Sequence, residues 1–347
     1  MHDDKPDVTV IGAGVIGLTT AVCLAEAGVS VAVHSAEPPQ RTTSVAAGAV
    51  WGPHLVGPDD RVPRWAADTL LVLRDLSGAR APAAGPEASA VDADPAHPFV
   101  HLASGIAASR AANSEAPDFA ADAASITVCE PAEIPAGYLS AWRLSAPLVS
   151  MPEYLSYLNQ RYLRAGGSPV ATVFYPTLAE AARSAGSPVL VNCSGSGAHG
   201  LVPDPQVTPV RGQAIITSNP GLTDFFVGTG PDAGDLTYFF PHADRLVLGG
   251  TEQAGNWSRE PDDATAHRII ASCAAVEPAL NKVAVIAHRV GLRPYRPQVR
   301  LESELMQAGV TVVHNYGHGG SGVTLSWGCA RDAAGLALAA LGLSKAS

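Results

Sequence analysis

The sequence lacks the features of several protein classes. It has no run of about eighteen apolar residues, the length a transmembrane helix needs, so no membrane span is expected. It is poor in positive charge. Its 22 Lys and Arg against 32 Asp and Glu give a formal net charge of −10, and phosphate binding favours a basic face, so no nucleic-acid partner is expected. Charged residues make up 16% and hydrophobic residues 47%, the balance of a soluble globular protein. Cysteines in metal-ligand spacing are missing. Cys23, Cys129, Cys193, Cys273 and Cys329 are scattered and odd in number, and they read as reduced thiols of a cytoplasmic protein with no metal site. The opening Met1-His2-Asp3-Asp4-Lys5-Pro6 is not read as a signal peptide. The closing Leu343-Ser344-Lys345-Ala346-Ser347 is not the Ser-Lys-Leu peroxisomal address. The 347 residues leave room for two domains, or one discontinuous pair, each with its own core.

The strongest positive signal lies at the start. Val8 to Ile11 is a β-branched apolar run, as a buried parallel strand requires. Gly12, Gly14 and Gly17 follow in G-x-G-x-x-G spacing, Leu18 to Ala27 reads as a helix with Gly28 at C′, and Val29 to Val33 closes a βαβ unit. In such a unit Gly12 allows the tight turn, Gly14 lets the backbone approach a pyrophosphate, and Gly17 lets helix and strand pack closely. The helix N-terminus then offers free N–H groups and a positive dipole end to the phosphates. The fingerprint's ribose-binding acid is absent from the end of the second strand, where His34-Ser35-Ala36 stand. Either Glu37 reaches back or Ser35 makes a weaker contact.

Further on, Thr42 to Pro53 is rich in small residues. That suits either backbone packed against something flat and large or a close helix crossing. Asp60 to Leu76 reads as a helix with Trp65, Leu70, Leu71 and Leu73 as its apolar positions, and Arg80 to Ala96 as a loop. Phe99 to Leu102, Ile126 to Cys129 and Trp142 to Val149 read as strands. Ser150 then caps a helix from Met151 to Ala165 with Pro152 in its first turn. Strand Val170 to Phe174, helix Leu178 to Ser184 and strand Pro188 to Cys193 run into Ser194-Gly195-Ser196-Gly197, which repeats the dinucleotide grammar and returns the chain to its first domain. Pro209 to Thr217, Thr237 to His242 and Arg245 to Thr251 suggest an antiparallel sheet, followed by a helix from His267 to Val276. The end reads as strand, glycine-rich loop and helix, from Val312 through His318-Gly319-Gly320 to a helix over Val323 to Leu341. That loop aims a second helix N-terminus at an anion or an electron-rich ring.

Together these pieces resemble the D-amino-acid oxidase family over nearly the whole chain. The resemblance rests on Gly12 to Gly17, Val45-Ala46-Ala47-Gly48 with Trp51 and Pro53, Val191 to Gly195, and Pro209-Val210-Arg211-Gly212-Gln213. It rests also on Gly249-Gly250 with Gly255-Asn256-Trp257, Leu292-Arg293-Pro294-Tyr295-Arg296-Pro297, and His314 to Gly320. It implies an α/β fold: a Rossmann-like FAD domain of glutathione-reductase type over 1–60, 145–205 and 290–347, and a discontinuous α+β substrate domain on an antiparallel sheet over 61–144 and 206–289. It implies FAD as cofactor, held by Gly12, Ala13, Gly14, Val15, Ile16, Gly17, Ser35, Thr42, Thr43, Ser44, Ala47, Gly48, Val173, Ser194, Gly195 and Arg293. The flavin end of that set is Gly317, Gly319, Gly320, Ser321, Gly322, Val323 and Thr324.

By the same resemblance Arg293 clamps the substrate α-carboxylate, Tyr238 hydrogen-bonds it, and the Gly320 carbonyl accepts from the amine. The implied reaction is oxidation of a D-amino acid by hydride transfer from Cα to flavin N5, with O₂ reduced to H₂O₂ and the imino acid hydrolysed to a 2-oxo acid and ammonia. The family's scheme needs no acid or base side chain, and His314 and His318 are expected to make structural hydrogen bonds. Arg296 and Arg300 are read as structural. Phe240, two residues past Tyr238, should share its face. Vertebrate-type members carry a second tyrosine on a lid, where this chain has Gly234. A homodimer is compatible with the reading. Its rivals are a sibling oxidase for D-aspartate, glycine or a cyclic imino acid, an NAD-dependent dehydrogenase, and a flavin-binding protein without turnover. An acidic-substrate enzyme would want a second cation, for which Arg211 and His242 are the candidates.

Overall fold

Val8–Ile11 forms strand β1, and all four residues are buried, which is what an apolar, β-branched stretch does between two covering layers. The computed structural model describes residues 5–78, 99–111, 115–116, 126–230, 236–306 and 309–343, so the expected loop over 80–96 and the Gly234 lid position lie outside the described residues. After β1 come α1 (Val15–Glu26), β2 (Val31–Ser35), α2 (Val62–Leu76), β3 (Val100–Ser109), β4 (Ile126–Val128), β5 (Ser140–Val149) and α3 (Met151–Arg164). Next are β6 (Ala171–Thr172), α4 (Leu178–Ser184), β7 (Val189–Asn192), α5 (Ala198–Leu201), β8 (Thr208–Ser218), β9 (Phe225–Thr229), β10 (Leu236–Pro241), β11 (Arg245–Gly249) and β12 (Gln253–Ala254). The chain ends with α6 (Asp263–Val276), β13 (Val285–Leu305), β14 (Thr311–His318) and α7 (Gly322–Ala340).

Among the described residues all the strands join one mixed sheet, ordered β4-β5-β3-β9-β10-β11-β8-β13-β14-β7-β1-β2-β6, with β12 on β8. From β14 to β6 the neighbours run parallel. From β5 to β14 they are antiparallel apart from the β3–β9 pair. Side chains alternate across the parallel part. Val189, Val191 and Val313 join the core under α1, α3 and α7, whereas Leu190 and Val312 join the core under α4. On the antiparallel part α6 covers β8, β10 and β11, with Ile269 and Cys273 meeting Ile215, Phe239 and Leu248 in one core.

Several local expectations are adjusted. The sheet is continuous, and β13 pairs with β8 up to Tyr295 and with β14 from there to Leu305. In α2, Trp65, Leu70 and Leu73 are buried but Leu71 is 61% exposed, because it falls outside the apolar stripe that faces α7. Ser150 sits at the N-cap of α3, yet its hydroxyl bonds the Glu153 and Arg245 side chains rather than the helix backbone. The expected strand over Val170 to Phe174 shortens to two residues on the sheet edge. Arg211 is buried and spends its guanidinium on Gln213, Gln253 and the carbonyls of Ser258 and Glu260.

Candidate active site

A cavity of about 970 Å³ lies where the parallel and antiparallel parts of the sheet meet. One end is the turn after β1. Gly12 has φ of +111°, and a Cβ there would collide with the Cys193 carbonyl; a Cβ on Gly17 would collide with the Gly12 carbonyl. No other residue fits either place. Helix α1 opens at Gly14 without a side-chain cap. Ala13 N–H donates to Ser35 Oγ at 3.2 Å and Val15 N–H to Ser44 Oγ at 2.9 Å, whereas the N–H groups of Ile16 and Gly17 make no bond to another described residue. This leaves the positive end of the helix open towards the cavity.

The other end is the loop from β14 into α7. Gly319 has φ of +54° and packs its Cα against the Leu55 carbonyl. Ser321 Oγ donates to the His54 carbonyl at 2.8 Å and accepts from His54 N–H at 2.7 Å, and Thr324 Oγ1 does the same for Gly52 at 3.0 and 3.3 Å. Segment 52–54 is thus stitched to the first turn of α7. That helix also starts without a side-chain cap, and Gly322, Val323 and Thr324 line the cavity.

Side chains furnish the space between. Arg293 extends from β13 across β8, so close to Gly212 that a Cβ there would lie 2.5 Å from Nη1. Nη1 donates to the Thr251 carbonyl at 2.8 Å, and the remaining guanidinium nitrogens have no acceptor among the described residues. Tyr238 stacks on Phe240 with ring centroids 4.7 Å apart and planes 16° apart, so the two share a face as expected. Its other side faces Gly249 and Gly250, where any Cβ would strike the ring. Burial pushes the Tyr238 phenol above its ordinary pKa, which keeps it a hydrogen-bond donor. The small-residue stretch also finds its flat neighbour here, since a Cβ on Gly48 would lie 2.5 Å from the Phe240 ring.

Of the residues named from the sequence, Gly12, Ala13, Gly14, Val15, Ile16, Ser35, Thr42, Thr43, Ser44, Ala47, Gly48, Val173, Ser194, Gly195, Tyr238, Arg293, Gly319, Gly320, Gly322, Val323 and Thr324 all line this cavity. Gly17, Gly317 and Ser321 do not. Gly17 closes α1 onto the turn, Gly317 (φ +88°) makes room for the Arg296 side chain, and Ser321 holds segment 52–54. Ser35 and Glu37 both reach the wall, but Ser35 Oγ is taken by Ala13 N–H and Glu37 by Arg259 Nη1 at 2.5 Å.

Neither candidate for the second cation that an acidic-substrate enzyme would want is available: neither Arg211 nor His242 lines the cavity. Arg211 is tied up as described. Loss of hydration on burial, followed by the neighbouring His101 charge, drives the His242 pKa down to about 4. His314 makes structural bonds to Asn192 and Glu304. His318 does not: its Nε2 is buried without a partner among the described residues, and burial holds it neutral, with a pKa of about 3. Asn315 Oδ1 is likewise buried and unpartnered, and both residues line the cavity.

Three participants escape the sequence reading. Arg259 reaches over from the segment before α6 to Glu37. His54 and Glu252, 198 residues apart, meet at 2.5 Å between Nε2 and Oε1. No motif or spacing marks them. Only the register of β11 and the stitching of segment 52–54 bring them together.

Comparison with known proteins matches residues 7–336 to the family model described as DAO, FAD dependent oxidoreductase. A D-amino-acid oxidase of Rubrobacter xylanophilus is 45% identical over 332 residues, covering 96% of this chain and 96% of its own. A D-amino-acid oxidase of Streptomyces coelicolor is 42% identical over 337 residues, covering 96% of this chain and 98% of its own. Among solved structures, a glycine oxidase from Bacillus cereus aligns with a TM-score of 0.73 at 18% identity, over 96% of this chain and 95% of that one. This last likeness concerns the fold alone.

Proposed function

The chain belongs to the DAO family of FAD-dependent oxidoreductases, and from that premise we propose that it oxidises D-amino acids to 2-oxo acids, ammonia and H₂O₂ in the cavity described. The carrying observation is that one continuous wall joins the opening turn to Arg293, Tyr238 and Gly320. The finer domain assignment follows the same reading: a glutathione-reductase-type Rossmann unit over 1–60, 145–205 and 290–347, with 61–144 and 206–289 as the substrate unit.

The wall suits FAD. The Gly12 and Gly14 main chain lines the cavity directly, two uncapped helix starts offer N–H groups to a pyrophosphate and to an electron-rich ring, and Asn315 Oδ1 and His318 Nε2 have no partner among the described residues. When bound, FAD supplies the acceptor for the two electrons leaving Cα and passes them to O₂. The protein's part is placement. Arg293, with nitrogens left over after the Thr251 bond, takes the α-carboxylate in a charge-assisted pair. Tyr238, rigid between Phe240 and the Gly249-Gly250 backbone, donates to the same carboxylate. The Gly320 carbonyl receives the amine. Fixed orientation of this kind lowers the barrier without a proton-transfer side chain.

The test is spectral. The purified protein should carry a flavin spectrum that bleaches under argon on adding D-alanine; a colourless protein, or no bleaching, defeats the reading. Arg293→Leu should keep the flavin while affinity for a carboxylate inhibitor falls about 100-fold, roughly 3 kcal/mol. Unchanged inhibitor affinity would reject the role of Arg293.

A further inference from the structure

We propose that Arg259 and Glu37 form a latch over the nucleotide end of the cavity, and that this ion pair sets how fast FAD enters and leaves. The inference rests on the reading that the cavity holds FAD. Arg259 Nη1 donates to Glu37 Oε1 at 2.5 Å and Nη2 to the Arg41 carbonyl at 2.8 Å. One guanidinium thus joins the segment between β12 and α6 to the segment after β2, 222 residues earlier. Both side chains line the cavity, and Glu37 stands just past Ser35, whose hydroxyl meets the opening turn at Ala13.

The segment that carries Arg259 is pinned along its length. Gly255 N–H donates to the Pro209 carbonyl at 2.8 Å, which starts the segment on β8. The Trp257 ring lies 5.1 Å, between centroids, from the ring of His199 in α5, the helix that follows β7. The buried Arg211 bonds the carbonyls of Ser258 and Glu260, the residues on either side of Arg259. Gln213 bonds both the N–H and the carbonyl of Asp262. Arg211 is therefore a positioning residue: it fixes the main chain from which Arg259 projects. The tip is a different matter. The Arg259 and Glu37 side chains are 46% and 39% exposed, so their attraction works against water and is screened by salt. A fixed base with a water-facing ion pair at its tip opens by side-chain rotation and leaves the sheet unmoved.

The experiment follows flavin release from the holoenzyme after dilution into flavin-free buffer of low ionic strength, read as the flavin retained on ultrafiltration. Glu37→Gln should release flavin about threefold faster than the parent, or more, the scale of an exposed ion pair; a smaller difference overturns the latch. Arg259→Glu combined with Glu37→Arg restores the pair with its charges reversed, and should release flavin at less than half the rate of Glu37→Gln. A reversed pair that releases faster than that overturns the latch, because the loss then belongs to a contact with the cofactor itself. Should the variants not fold, the parent decides alone. Its release should quicken about threefold or more between roughly 0.01 M and roughly 1 M salt, where the screening length falls from about 30 Å to about 3 Å, and a smaller rise overturns the proposal. A parent protein that takes up no FAD defeats the cofactor reading itself, a failure distinct from any of these.

Discussion

The two ends of the cavity are built from different materials. Around Gly12 and Gly14 the wall is main chain, closed from behind at Gly17, and its shape follows from where a Cβ cannot stand. Around Arg293, Tyr238 and His54 it is side chains, delivered by β13, β10 and segment 52–54. A main-chain wall tolerates no substitution but recognises only what every dinucleotide has in common. A side-chain wall tolerates many substitutions, and each one changes what is recognised. Cofactor binding and substrate choice are therefore separable by mutation in this molecule.

The sharpest way to break the comparison is at the main-chain end. Gly17→Ala puts a methyl into the Gly12 carbonyl, and overpacking of this kind costs about 1–3 kcal/mol or more. The expected outcome is loss of bound flavin together with a fall in Tm. A variant that retains full flavin content would show that the turn can yield. Arg293→Leu, with its expected 100-fold loss of inhibitor affinity and retained flavin, is the matching lesion at the other end. Tyr238→Phe is milder. It keeps the ring packed between Phe240 and Gly249 and removes one donor, so KM should rise about tenfold, near 1.4 kcal/mol, with the flavin spectrum unchanged.

The smallest effect sits between the ends. His318 is buried neutral, with its folded pKa near 3 against an ordinary 6.5. The unfolded chain takes up its proton first as pH falls, so the stability owed to the neutral ring is complete above pH 6.5 and is lost on the way down to about 3. Thermal melting of the parent should weaken across that window, and His318→Asn should flatten the slope. An equal slope in both would mean that other groups govern the acid limb.

The same contrast explains what the sequence could disclose. The opening turn is legible because the chemistry of a tight turn acts on neighbouring residues and leaves its mark as glycine spacing. The β1–α1–β2 order, α4 and α7 are legible for similar reasons, since period and punctuation are local. Arg293 and Tyr238 could be named only through resemblance to a family, because their meeting depends on strand register rather than on spacing. The Glu252–His54 pair had no signal at all. Arg211 looked available as a cation because the sequence hides its four protein acceptors. Leu71 shows a smaller version of this error, for an apolar letter does not say which side of a helix stripe it occupies.

Strand β13 gives the frame a mechanical character. At about 3.3 Å per residue, its 21 residues form a beam of roughly 70 Å. It is bonded along one stretch to β8 and along the next to β14, and Arg293 is mounted near its middle. It thereby ties the antiparallel and parallel parts of the sheet together. Arg293 is thus carried by a member anchored on both of its edges.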